Sequence, residues 1–149
     1  MMEHKAALLA SAAGEDRESL AGIFSQQGWT LYSTETLDAA VTFLRENPVP
    51  VLITERDLPA GNWKDLFTAA QRLPNAPLFI VASRLADDQL WAEVLNLGGH
   101  DVLSKPFQTD EVLWVLDSAW DFVESHAPII ESKETAVRAG GCLLSPSGA

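Results

Sequence analysis

Gly98-Gly99-His100-Asp101-Val102-Leu103-Ser104-Lys105-Pro106-Phe107 is the stretch on which the reading of the fold turns. Two glycines close the helix-spaced segment Asp87–Leu97, and Val102–Ser104 reads as a short strand. Lys105-Pro106 follows at once, placing a cation at the strand's carboxyl end and a residue that cannot extend a sheet ladder behind it.

Moving outward, short apolar runs alternate with helix-spaced segments along the chain. Ala6–Ser11 is an apolar run without polar alternation, as expected of a strand covered on both faces. Glu15–Gln27 places Leu20, Ile23 and Phe24 at helical spacing, has acids in its first turns, and stops at Gly28. Thr30–Ser33 reads as a strand, and Thr36–Glu46 as a helix ended by Pro48. Val49–Thr54 is a buried strand, Pro59-Ala60-Gly61-Asn62 is loop chemistry, and Trp63–Leu73 is helical up to Pro74. Leu78–Ala82 is a fourth strand, and Asp110–Glu124 the last helix. Five βα units in succession imply an α/β fold, a doubly wound parallel sheet with helices on both faces. Such sheets bind ligands at the carboxyl ends of their strands, and 2-1-3-4-5 is the flavodoxin-like order. The region 1–127 is expected to form one domain. Residues 128–149, with Gly140-Gly141 and Ser145-Pro146-Ser147-Gly148, show no periodicity and read as a flexible tail.

The 149 residues suit one domain burying roughly 70% of its extended-chain surface. A formal net charge of −11 offers no basic footprint, so direct nucleic-acid binding is not expected. The single cysteine, Cys142, excludes an internal disulfide and suits a reducing, cytoplasmic setting. No apolar run is long enough to span a bilayer, so no membrane contact is expected. Lys5–Ala12 ends in an Ala-x-Ala-like pattern, but its apolar stretch is too short for a signal peptide and a buried first strand is the better reading.

From about Lys5 to His126 the chain resembles response-regulator receiver domains, the CheY-like family of two-component phosphorelay signalling. The features carrying the resemblance are Lys105-Pro106-Phe107 after Gly98-Gly99, Pro59 after the third strand, and Gly28-Trp29 before the second. The resemblance implies the (βα)5 flavodoxin-like sheet in 2-1-3-4-5 order. It also implies a phosphorylation pocket, and here that pocket is degenerate. Counting back from Pro59, the phosphoacceptor aspartate falls on Glu55. The acidic Mg²⁺-holding pair falls on Ser11 and Ala12, with Ala13 the next candidate. The switch hydroxyl falls on Ala82 and the switch aromatic on Val102; only the lysine, Lys105, keeps its type.

Mg²⁺ needs hard oxygen ligands, which Ser11 and Ala12 do not supply as carboxylates, so neither a metal nor another cofactor is expected. Without the metal, phosphoryl transfer loses its main neutralising charge. Glu55 and Lys105 are then expected to form an ion pair at the strand ends. Glu55 either imitates a phosphorylated aspartate or simply neutralises a lysine that would otherwise be buried alone. One charge against roughly −2 on a phosphoryl group favours neutralisation. A slipped alignment would use Glu15-Asp16, Asp57 or Ser83 instead. It requires the acidic pair to move four residues toward the sheet, which shortens the first helix too far.

His4, His100 and His126 are scattered without metal-ligand spacing, and no GxGxxG, P-loop or GxSxG is present. The remaining signal is aromatic. Val112, Leu116, Ala119, Trp120 and Val123 share the inner face of the last helix, which leaves Trp114, Val115, Ser118 and Phe122 on another flank. With Trp91 of the fourth helix they form a candidate interaction surface rimmed by Asp117, Asp121 and Glu124. Contact with a protein partner or a second copy, through the face of helix 4, strand 5 and helix 5, is favoured over cover by Ile129 and Ile130 of the tail. The expected role is non-enzymatic: a phosphorylation-independent receiver acting as an interaction or dimerisation module. The alternatives are a conventional phosphorylatable receiver cut from an output domain, for which 128–149 is too short, and a flavodoxin-like ligand-binding or enzymatic domain.

Overall fold

The computed structural model describes residues 5–59 and 61–125. The tail from 128, Ile129, Ile130, Cys142, His4 and His126 lie outside the described residues.

Five parallel strands build the sheet: β1 (Ala6–Ala10), β2 (Thr30–Thr34), β3 (Val51–Glu55), β6 (Leu78–Ser83) and β7 (Asp101–Ser104). Their spatial order is β2-β1-β3-β6-β7, which is the doubly wound, flavodoxin-like order. β3 begins at Val51 rather than Val49, behind Pro50, which has no N–H to give a ladder. Between β3 and the next helix the chain forms a two-stranded hairpin, β4 (Asp57–Leu58) and β5 (Gly61–Asn62), where the sequence reads only as loop. Its Leu58 is buried in the core, which anchors the excursion.

Five helices cover the sheet: α1 (Gly14–Gln26), α2 (Leu37–Glu46), α3 (Trp63–Gln71), α4 (Asp88–Leu97) and α5 (Thr109–Ser125). The starts of α2, α3 and α4 follow from side-chain oxygens that satisfy orphan backbone donors. Thr36 Oγ1 accepts from the Ala39 amide at 3.1 Å and Asp87 Oδ1 from Leu90 at 3.0 Å, while Asn62 and Asp65 form a reciprocal capping box. The end of α4 explains the two glycines. Gly98 caps it in the left-handed region at φ 109°, and any side chain at Gly99 would run into Val94.

Side chains alternate across the pleat, so each strand feeds two cores. Leu8, Leu52, Phe79, Val81 and Val102 face the side covered by α2, α3 and α4. Leu9, Ile53, Ile80, Ala82 and Leu103 face the side of α1 and α5, with Leu20, Phe24, Val112 and Leu116. Trp120 is half-buried on that second side, edge-on to Trp29 at 5.8 Å.

Candidate functional site

The period-2 alternation that fills the second core continues past the strand ends and places the polar residues. Ser11 follows Ala7 and Leu9, Glu55 follows Val51 and Ile53, and Lys105 follows Leu103, all on the α1/α5 side. The register of β3, β6 and β7 sets Glu55 against Ala82 and Ala82 against Leu103, so Lys105 reaches back over the end of β3. Its amide is fixed by a 3.1 Å bond to the Ser83 carbonyl.

Lys105 Nζ donates to Glu55 Oε2 at 2.7 Å and also to Glu55 Oε1, so the ammonium straddles that carboxylate. Its remaining proton goes to Asp16 Oδ2 at 2.8 Å. The same Asp16 oxygen accepts from the Ser11 hydroxyl at 3.2 Å, and Ser11 Oγ in turn accepts from the Ala13 amide at 3.1 Å. The Lys105 side chain is only 6% exposed, that of Asp16 9% and that of Glu55 19%, so water reaches the cluster mainly from the Glu55 side. Burial pushes the Glu55 carboxyl above the ordinary glutamate range, and the neighbouring Asp16 charge adds to it; Lys105 pulls back only part of the rise. For Lys105, burial opposes the charge, yet Asp16 and Glu55 together hold its pKa above that of an ordinary lysine.

Asp16 corrects the sequence reading. Ser11 and Ala12 supply no carboxylate, but one arrives from the first turn of α1, without any slip of the alignment. Asp16 shares the buried stripe of Leu20, Ile23 and Phe24, and that helical spacing is the signal that could have found it. The structure brings Ser11, Glu55 and Lys105 together. Ala12 is exposed and takes no part, Ala82 is packed beneath the cluster, and Val102 is buried on the opposite face of the sheet. Ser83, the other hydroxyl nearby, has Oγ engaged by the Leu85 amide at 3.0 Å. Asp57 is exposed and pairs with Arg56 at 3.3 Å. At the mouth, Arg84 and Glu15 approach to 3.8 Å, an exposed pair worth little.

The receiver fold implies Mg²⁺ at this place. The residues present do not fit the ion well, because three carboxylate oxygens from two side chains are already turned onto one ammonium. Among the described residues no group of three or more His, Cys, Asp or Glu side chains could hold a metal.

The predicted surface needs one correction. Val115 is not exposed: with Val112, Leu116 and Ala119 it forms the inward stripe of α5. Trp114, at 69% exposure, does point outward, and Trp91 and Phe122 are about two-fifths exposed. Phe122 lies edge-on to His100 at 5.7 Å, so His100 belongs to a loop contact beside α5.

No family model matches the chain, and no curated protein matches it by sequence. Solved structures do match. A signal receiver domain of an HD domain-containing protein from Pseudomonas fluorescens superimposes with TM-score 0.75 at 22% identity, covering 83% of this chain and 100% of that one. A Francisella response-regulator receiver domain gives TM-score 0.73 at 18% identity, covering 80% and 99%. The beryllofluoride-activated NtrC4 receiver domain dimer gives 0.71 at 20%, covering 79% and 98%. The chain has the CheY-like receiver fold.

Proposed function

We propose that this chain is a non-enzymatic receiver-type module of two-component phosphorelay signalling that works without being phosphorylated. The observation that carries the reading is the buried Lys105 ammonium shared by Asp16 and Glu55. A receiver pocket must admit a metal ion and a phosphodonor and stabilise charge developing on the transferred group. Here the lysine is already committed to two internal carboxylates, the phosphoacceptor position holds the longer Glu55, and Ala82 and Val102 carry neither a hydroxyl nor an aromatic ring for a switch. Glu55 is read as the partner that keeps a buried lysine neutralised, in line with the cost of an unpaired interior charge.

Control by the pocket is then replaced by a contact surface, the face of α4, β7 and α5, on which Trp91 and Trp114 stand exposed and Phe122 packs on His100. The occupant is a protein, either a signalling partner or a second copy, in the cytoplasm, with no direct nucleic-acid or membrane contact. No helix among the described residues is long and apolar enough to cross a membrane.

Incubating the protein with acetyl phosphate and Mg²⁺ and weighing it intact tests this reading. The expected spectrum shows no phosphoryl increment, and Mg²⁺ alone leaves the melting temperature unchanged. A stoichiometric increment at Glu55 or any pocket residue would return the chain to the conventional receivers.

A further inference from the structure

Among the described residues, five of the seven large apolar side chains that stand exposed lie on α4 or α5: Trp91, Leu95, Leu97, Trp114 and Phe122. Leu97 lies one turn from Glu93 on the same side of α4; the placement of the other four is directional. On α4, Glu93 reaches Lys64 of α3 at 3.0 Å, so Trp91 and Leu95, on the other side of the helix, face away from α3 toward the open β7 edge. On α5, Trp120 packs on Trp29, whereas Glu111 bonds Ser104 of β7 at 2.9 Å and Ser118 Oγ lies 3.4 Å from His100 Nε2. Phe122 meets His100 on that same flank, and Trp114 stands at its outer border. Two apolar ridges therefore flank one sheet edge.

The charge around those ridges has one sign. Between residues 86 and 125 the chain carries nine acidic residues and a single basic one, Lys105, which is buried in the pocket. Asp110 and Asp117 are helical neighbours of Trp114, Asp121 lies one turn beyond, and Asp88 neighbours Trp91. Among the described residues none of these four aspartates is in an ion pair. An apolar centre with an uncompensated acidic rim is complementary to a segment that is apolar along one stripe and cationic beside it.

We infer that the face of α4, β7 and α5 docks a basic amphipathic helix of a partner protein, rather than a second copy of this chain. The inference rests on the proposal that this face is the contact surface, and it adds the chemistry of the occupant. A two-fold dimer would set the patch against itself and bring its aspartates toward their own copies, whereas a Lys- or Arg-rimmed helix neutralises them.

The probe is a fluorescein-labelled Leu/Lys amphipathic peptide of about 18 residues, titrated with the full chain by anisotropy. Saturable binding is expected, weakened about tenfold or more by Trp114→Ser and by Asp117→Lys with Asp121→Lys, and weakened again by raising salt from about 0.05 to 0.5 M. A scrambled peptide of the same composition and a Leu/Glu analogue are expected to bind at least tenfold more weakly. Circular dichroism checks that the variants, all at exposed positions, remain folded. Equal binding of the scrambled peptide, or no effect of the variants, overturns the inference. Light scattering distinguishes the failures: a wild-type dimer made monomeric by Trp114→Ser keeps the face as a contact surface but seats a second copy there. Binding at least tenfold tighter after removal of 128–149 would seat the chain's own tail instead, and equally overturns it.

Discussion

Replacing Lys105 with Met removes one positive charge and leaves two carboxylates behind. In the wild type, Asp16 Oδ2 at 2.8 Å and Glu55 Oε2 at 2.7 Å share the ammonium. Methionine fills much of the same volume, so the loss is chiefly electrostatic rather than a cavity. Breaking a buried pair by deleting one partner costs about 3–5 kcal/mol, a large part of a domain's usual stability. In urea unfolding followed by tryptophan fluorescence, that corresponds to a midpoint lower by about 2–3 M. The sign of the pH effect is fixed as well. With the lysine gone, Glu55 is pushed further upward by burial and by Asp16. A carboxyl whose folded pKa exceeds its unfolded one contributes stability below the unfolded value and loses it as pH rises through the folded value. The variant should therefore regain stability as the pH falls from neutrality toward the ordinary glutamate value of 4.5. The double variant Lys105→Met with Glu55→Gln should recover much of the loss at neutral pH, since Asp16 keeps its bond from Ser11. A Lys105→Met protein within about 1 kcal/mol of wild type, with no pH dependence of the difference, would refute the reasoning.

The wild type should also weaken at alkaline pH. Because Lys105 is held above its ordinary value of 10.5, its contribution is complete below that value and disappears as pH rises through the higher folded one. Denaturant titrations between about pH 9 and 12, compared with Lys105→Met, should show the difference between the two proteins shrinking. Gly99→Ala should destabilise by about 1–3 kcal/mol, because the new methyl group meets Val94 in the packed interior of α4. Thermal melts of Gly99→Ala and Gly99→Ala/Val94→Ala check the cause: the second removes the clash with the Val94 side chain but keeps the 3.0 Å approach to the Val94 carbonyl oxygen, so the two substitutions together should cost less than the sum of the single ones without restoring wild-type stability.

The sheet was readable because parallel strands covered on both sides leave apolar runs, and Leu78–Ala82 differs from the observed strand by one residue. Periodicity could not order the strands; the resemblance around Lys105-Pro106-Phe107 did. The hairpin at Asp57–Leu58 and Gly61–Asn62 was invisible because two-residue strands have no period. The Glu55–Lys105 pair was legible because both sit at strand ends, where alternation fixes the facing side. Glu15-Asp16 is set aside in the sequence because counting addresses the end of β1, whereas the Asp16 carboxylate reaches the site from a helix folded over that end, with no slip needed. Val115 was assigned outward although Val112, Val115, Leu116 and Ala119 complete an i, i+3, i+4, i+7 stripe. Centring the inner face on Trp120 turns the stripe away from Val115, whereas Trp120 itself is only half-buried.

The bond between Lys105 and Asp16 joins residues 89 apart in the chain. Synthesis delivers α1 and β3 well before β7, so both acids are in place while their common counter-ion is still unmade. An assembly of the first three strands would carry two adjacent anions at its rim, which favours keeping that end hydrated and open. The last strand thus closes the sheet mechanically and discharges it electrically in one event. A truncated chain lacking β7 should therefore be less compact than the full domain, which its hydrodynamic radius would show.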